Sequence, residues 1–331
     1  MTTVSFPNMG LSFEINRTAF TLGGFEVYWY GVLIGLGMLL AMVYAFPKLK
    51  KLGVDEDKFI DVLIVCIIAG VVGARLYYVV FSNPSQYRTF WDLIDLRDGG
   101  LAFYGAVIFA FAAAYIMCRV KKLKILPVLD IASIGFLIGQ GIGRWGNFFN
   151  QEAFGTNTNL PWGMTSKTVE SYLASHLSEI EAHGMTVNPA LPVHPTFLYE
   201  SLWLIAGFIV LACYLKHRKF DGEIALMFFA WNGAGRAVIE GLRTDSLYIG
   251  NIRVSQMLAI IGVVLSVAAI VLIRIRQKKS GDENYLKPYG MTEEWAKEYA
   301  AIVERQENEK KKSKKTEEPK ENEEASTKTE E

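Results

Sequence analysis

The chain has 331 residues, 51% of them hydrophobic and 13% aromatic, with 34 basic and 34 acidic side chains and a mean hydropathy of +0.21. A soluble domain rarely has a positive mean, and the stretch from Ser280 onward is strongly polar, so the chain before it is more apolar still. The composition therefore excludes an ordinary soluble protein and fits a polytopic membrane protein with no nucleic-acid partner, in which the placement of charge along the chain matters more than its zero sum.

Residues 1 to 25 have neither a basic start nor a continuous apolar core, so no cleavable leader is expected. A hydrocarbon core about 30 Å thick needs roughly 20 mostly apolar residues per helix. Seven runs meet that need, near 26–46, 58–81, 99–118, 126–149, 196–215, 222–242 and 254–273. The predicted fold class is all-α, a polytopic membrane protein with seven transmembrane helices over residues 1–275. Residues 150–195 form an external arm or head. There Val169, Tyr172, Leu173, Leu177 and Ile180 recur at helical spacing, an amphipathic helix over 164–185 that lies on the bilayer or caps the bundle. Residues 276–331 read as a charged, largely disordered tail with one short helix near 292–308. Cys66, Cys118 and Cys213 sit inside apolar runs without metal-ligand spacing and read as packing residues, so neither a metal nor a cofactor is expected.

Lysine and arginine alternate from side to side. Lys48, Lys50, Lys51 and Lys58, then Arg119, Lys121, Lys122 and Lys124, then Lys216, Arg218 and Lys219, then Arg274, Arg276, Lys278 and Lys279 fall in alternate inter-span segments, whereas the segment 150–195 holds only Lys167. The positive-inside rule puts the N-terminus outside and the C-terminus in the cytoplasm, as an odd number of spans requires. That orientation brings Tyr30, Arg75, Tyr104, Arg144, Asn147, Asn150, Glu152, His194, Tyr199, Glu200, Arg236 and Glu240 to one depth, the outer leaflet. Arg236, Glu240 and Arg243 at i, i+4 and i+7 share a helical face.

An arginine at the bilayer centre costs about 2.5–3.5 kcal/mol on insertion scales, so several need partners or a ligand. One reading pairs Arg236 with Glu240 and Arg144 with Glu152 as structural glue. The other notes that Arg75, Arg144 and Arg236 meet at one depth beside Asn147 and Asn150, and that guanidinium forks match phosphate oxygens, which points to an anionic headgroup. The glycines of "GIGRWG" satisfy G-x-G-x-x-G, but no strand precedes them and no βαβ unit surrounds them, so they mark close helix packing and a broken helix end instead of a dinucleotide site.

The stretch "GRWGNFFNQEAFG" at 143–155, with "WYG" at 29–31, "GARLYYV" at 73–79, "GGLAFYGA" at 99–106, "HPTFLYE" at 194–200 and "GRAVIEGLRTD" at 235–245, resembles the bacterial prolipoprotein diacylglyceryl transferases over roughly residues 20 to 275. The resemblance implies a multi-pass enzyme of the bacterial cell membrane. Its partners would be phosphatidylglycerol and a prolipoprotein signal peptide carrying a lipobox cysteine, joined through a thioether with release of glycerol 1-phosphate. With the phosphate chemistry, it implies Arg144 and Arg236 at the phosphate, Asn147, Asn150, Glu152 and Gly155 shaping the headgroup pocket, Tyr30 lining it, and Glu240 holding Arg236. Arg75, His194 and Glu200 join the substrate-binding set by depth. The attacking thiol comes from the substrate, and its pKa near 8.5 makes activation useful. Where many members of the family have histidine this chain has Tyr104, so the proton acceptor is open: Tyr104 is tuned to act as a base or only positions substrate, and His194 is the other candidate, beside its structural reading at the head of the fifth span. Asn232 stands where the family pattern suggests tyrosine. An anion or lipid transporter is the alternative, and it would need a polar route continuing to the cytoplasmic side. A retinal-type receptor is disfavoured because the seventh span has no lysine.

Overall fold

A computed structural model describes residues 1–82, 89–94, 100–246, 248–250 and 252–308. The start of the third predicted span at residue 99 and the tail beyond residue 308 lie outside the described residues. Long helices dominate, as an apolar chain in hydrocarbon requires, because only intrahelical hydrogen bonds satisfy the backbone within one segment. In chain order they are α1 (Trp29–Leu52), α2 (Glu56–Phe81), α4 (Phe103–Val120), α5 (Ile125–Asn150), α8 (Thr196–Tyr214), α9 (Glu223–Ile239) and α10 (Val254–Ser280). Shorter helices are α3 (Phe90–Ile94), α6 (Lys167–Ser175), α7 (Leu177–Ala182) and a final α11 over residues 293–308.

Among the described residues six helices, α1, α2, α4, α5, α8 and α10, are long and apolar enough to cross a membrane. The seventh predicted span falls on α9, which has only 17 residues because the chain tightens into a 3-10 turn at Glu240–Leu242. Large apolar side chains stand uncovered along the long helices, among them Leu39 and Val43 on α1, Ile68 and Val72 on α2, and Val264 and Leu265 on α10. Such a surface is untenable in water and suits a multi-pass membrane protein.

Short strands accompany the helices, and the helical reading of the sequence does not contain them. β1 (Thr2–Phe6) pairs antiparallel with β2 (Leu11–Ile15) and, on its other edge, with β5 (Thr165–Ser166). β3 (Thr18–Leu22) with β4 (Phe25–Tyr28), and β6 (Tyr248–Ile249) with β7 (Ile252–Arg253), form two further hairpins.

The chain divides into two compact units, Met1–Lys48 with Val128–Leu286, and Leu49–Pro127 with the described chain from Lys287 onward. In the first unit the predicted amphipathic helix is broken at His176 into α6 and α7. Ser166 caps α6 by accepting from the Val169 N–H at 3.2 Å. The apolar face, Val169, Leu173 and Ile180, is buried with Met164, Val187, Val193 and Phe197, so it packs inward as a cap and is not left free for a bilayer.

The long helices of this unit approach closely at small residues. A Cβ on Gly37 of α1 would lie 3.0 Å from the Gly139 Cα of α5. Ser201 Oγ of α8 donates to the Gly141 carbonyl of α5 at 2.8 Å. Between α8 and α9 the arrangement is reciprocal: Trp203 and Trp231 stack at 4.6 Å, and each indole N–H donates to the other's carbonyl at 2.9 Å. Each ring lies on the other helix's glycine, Trp203 on Gly235 and Trp231 on Gly207. At the opposite end of α9, Asp130 of α5 accepts from the Gly222 and Ala225 N–H groups at 2.9 and 3.0 Å, capping the helix start.

A methyl group at Gly235 would come within 2.3 Å of the Trp203 ring, an overpacking that costs about 1–3 kcal/mol. Gly235→Ala is therefore expected to lower the thermal unfolding midpoint in detergent by several degrees. Gly262→Ala on α10, where a Cβ meets nothing within 4 Å, is the control and should not lower it.

In the second unit α2 and α4 cross at Gly73 and Gly105, where a Cβ on either would strike the other helix's backbone carbonyl. Asp55 caps α2 by accepting from the Lys58 N–H at 3.2 Å. Residues 287–308 fold onto this unit and bury Tyr289 and Trp295.

Candidate active site

Within the first unit, the C-terminal end of α5, the head of α8 and the end of α9 each deliver charge to one place. Arg144 of α5 sets Nε 2.7 Å from Glu200 Oε2 of α8. Arg236 of α9 reaches the other oxygen, Nη1 to Oε1 at 3.6 Å, and pairs Nη2 with Glu240 Oε2 at 2.8 Å. Arg243, where the chain leaves the 3-10 turn extended, puts Nη1 3.2 Å from the same Glu200 Oε1. Asp245 clamps Arg243 from behind, its two oxygens accepting from Nε at 2.9 Å and Nη2 at 2.8 Å. Burial opposes the charge on Arg243, but the Asp245 hydrogen bonds and the Glu200 and Glu240 carboxylates outweigh it and raise the guanidinium pKa.

Three guanidiniums and three carboxylates leave the cluster neutral, so its polarity lies in its layering. The Glu200 and Glu240 side chains are 7% and 1% exposed, whereas Arg144 and Arg236 are 27% and 29% exposed. The carboxylates sit behind and two guanidiniums face outward. A planar fork pinned at one edge by a buried carboxylate still presents its other N–H groups to an oxyanion.

The loop after α5 is strained where the motif predicted a broken helix end. Gln151 and Ala153, neither of them glycine, both hold φ +56°, a left-handed conformation costing about 1–2 kcal/mol per residue. Asn147 and Asn150 donate to one oxygen of exposed Glu152 at 2.9 and 3.1 Å. Arg144 therefore pairs with Glu200, and the pairing with Glu152 suggested by sequence proximity does not form. The side-chain oxygens of Asn150 and Gln151 are buried with no hydrogen-bond partner among the described residues. Gly155 lets the loop pass between α8 and α9: its N–H donates to the His194 carbonyl at 2.9 Å, and a Cβ there would lie 2.9 Å from both His194 Cβ and the Leu242 carbonyl.

Tyr30 at the start of α1 lies against Gly146, where a Cβ would meet its ring at 2.1 Å. His194 joins a short relay in which Trp162 Nε1 donates to the Tyr199 hydroxyl at 2.7 Å, and that oxygen stands 3.0 Å from His194 Nδ1. An indole N–H only donates, which leaves the tyrosine proton for Nδ1. Burial holds the His194 pKa below its ordinary value, so the ring is neutral at pH 7. Its neighbours make it a brace at the head of α8.

Arg75 and Tyr104 belong to the second unit. Arg75 donates to the backbone carbonyls of Asp92 (2.8 Å), Leu93 (2.8 Å) and Gly100 (3.1 Å), tying α3 to the start of the α4 segment. Tyr104 is exposed in the first turn of α4, edge-on to Phe103 at 6.1 Å. Sequence reasoning put Arg243 on the right helical face but assigned it no role, and it passed over Asp245. The "RTD" spacing beyond Gly241 was the available signal.

Among the described residues no group of three His, Cys, Asp or Glu side chains is placed to hold a metal ion, and the three cysteines are free. A family model described as prolipoprotein diacylglyceryl transferase matches residues 17–272. The chain belongs to that family. Phosphatidylglycerol–prolipoprotein diacylglyceryl transferase 1 of Clostridium perfringens (strain 13 / Type A) is 42% identical over 267 residues, covering 80% of this chain and 97% of the relative. The Finegoldia magna enzyme of the same description is 41% identical with the same coverage, and that of Thermotoga maritima is 40% identical, covering 80% and 87%. The prolipoprotein diacylglyceryl transferase match takes in the whole Arg144–Glu200–Arg236 cluster and leaves β1, β2 and everything after residue 272 outside it.

Proposed function

We propose that the chain transfers the diacylglyceryl group of phosphatidylglycerol to the cysteine thiol of a prolipoprotein lipobox. The observation that carries the reading is the pair of outward-facing guanidiniums, Arg144 and Arg236, held on opposite oxygens of Glu200. In the reaction the cysteine sulfur bonds to the glycerol carbon of the diacylglyceryl group while that carbon's bond to the phosphate oxygen breaks. The electron pair leaves with glycerol 1-phosphate, the thiol gives up its proton, and the phosphate gains one negative charge. Two preorganised guanidiniums at that oxygen stabilise the transition state more than the ground state. The partnerless Asn150 oxygen suits a hydroxyl of the glycerol headgroup. Tyr30, Glu152 and Gly155 shape the pocket, Glu240 orients Arg236, and His194 braces the head of α8 through Tyr199.

The basic residues at the α1–α2 turn, the α4–α5 turn, the α8–α9 turn and the end of α10 favour a cytoplasmic placement for those ends. The arginine cluster stands at the opposite helix ends, facing the outer leaflet of the cell membrane. Seven spans follow if α9 crosses as well. With the three residues of its 3-10 turn it reaches twenty, about 30 Å at about 1.5 Å each, enough for the hydrocarbon core.

Purified protein given phosphatidylglycerol labelled in its acyl chains and a lipobox peptide should yield a labelled thioether peptide. Label moved across a vesicle bilayer with none on the peptide would favour the transporter reading and end this one. Tyr104→Phe is expected to keep activity within about tenfold of wild type, because a base must reach the proton it removes and this hydroxyl has no hydrogen bond among the described residues. A fall of about 10³-fold or more with unchanged folding would make it the proton acceptor.

A further inference from the structure

The family match ends at residue 272, yet the chain beyond residue 286 is folded, and against a specific surface. We propose that the turn between α1 and α2, with Lys124 at the α4–α5 turn, is a docking face whose occupant is this chain's own segment 287–308, an intramolecular clasp that protects the turn. It is independent of the transfer reaction.

The fit is backbone against backbone. A Cβ on Gly290 would lie 2.3 Å from the Lys51 carbonyl oxygen and 2.7 Å from the Gly53 nitrogen, so only glycine seats there. Gly53 answers it with φ +79°, a conformation that frees space L side chains would fill. Trp295 Nε1 donates to the Lys50 carbonyl at 2.9 Å. That carbonyl lies in the last turn of α1 and also accepts from the Gly53 N–H at 3.2 Å, so the indole shares it with the turn itself. Tyr289 and Trp295 are 7% and 4% exposed with rings 5.7 Å apart, and Tyr299 continues the row at 5.7 Å from Trp295. Two lysines complete the seat: Lys124 lies over the Tyr289 ring at 3.3 Å and Lys50 over Tyr299 at 4.0 Å.

Magnitudes separate the contacts that hold the clasp from those that decorate it. Lys124–Glu294 at 3.6 Å and Lys58–Glu298 at 3.9 Å involve glutamates 72% and 41% exposed, and such pairs contribute little. Buried aromatic area, the indole hydrogen bond and the lysine–ring contacts dominate. The clasp should therefore survive high salt and fail on loss of Trp295.

Hydrogen exchange of the full chain in detergent tests this. In Trp295→Ala and in Gly290→Ala, the amides of Gly53 and Val54 are expected to exchange about tenfold faster or more, as a local opening. The Gly222 and Ala225 amides, which donate to Asp130 in the other unit, should keep wild-type rates. Glu294→Gln should change neither set. Wild-type exchange at Gly53 and Val54 in both clasp variants, or equal acceleration at Gly222 and Ala225, would overturn the proposal.

Discussion

Replacing Arg144 by alanine is expected to lower the rate of thioether formation by about 10²–10³-fold, the cost of removing one preorganised donor at a developing oxyanion. Arg236→Ala should fall in the same range. The physical reason is shared: each guanidinium is pinned by Glu200, Arg236 also by Glu240, and each stays only partly exposed, so neither can cover the other's loss by moving. Groups acting on one phosphate are not additive, so the double variant should lose less than the product of the two single losses. Arg144→Lys keeps charge but not the fork that lets Nε hold Glu200 while the far nitrogens face substrate, and should fall between wild type and alanine. Initial rates with labelled phosphatidylglycerol and a lipobox peptide measure all four. Single variants within twofold of wild type would remove the phosphate role from this cluster.

The second large effect is structural. Glu200→Ala removes the only carboxylate that touches Arg144, Arg236 and Arg243 together among the described residues. Deleting one partner of a buried charge network costs about 3–5 kcal/mol. The lower end applies here, because Arg144 and Arg236 keep some access to solvent and Arg243 keeps Asp245. The unfolding midpoint in detergent, compared at one scan rate, should drop by several degrees, and transfer should be lost with it. Glu200→Gln keeps the shape and one acceptor and should recover part of the stability but little of the activity. An unshifted midpoint in Glu200→Ala would mean the three arginines find other partners.

How much of this was legible in the sequence differs from element to element. Convergence was: apolar runs put Arg144, Glu200, Arg236 and Glu240 at matching helix ends, and there they pair. Partner choice was not, because it depends on helix rotation and on how closely helices approach, which are tertiary outcomes. Glu152 was nearest in sequence to Arg144, yet the left-handed turn at Gln151 and Ala153 turns it towards Asn147 and Asn150. The strands β1 to β4 were missed because four or five residues of alternation barely register beside helical runs of twenty, although Gly10, Gly23 and Gly24, all at positive φ, punctuate them. The short helix expected near 292–308 forms as α11, but its docking was not legible in so charged a stretch, and the three aromatics of "YGMTEEWAKEY" were the overlooked sign.

The Trp203–Trp231 pair bears on how this enzyme family member can vary. Trp203 lies three residues from Glu200, and Gly235, on which it rests, adjoins Arg236, so the latch that sets the vertical alignment of α8 and α9 also sets the height at which acid and base meet. One residue inserted between Glu200 and Trp203 would swing the carboxylate about 100° around its helix axis and leave the latch untouched. Drift in these two helices is thereby confined to exchanges of side chain, with insertions and deletions pushed out into the connecting loops.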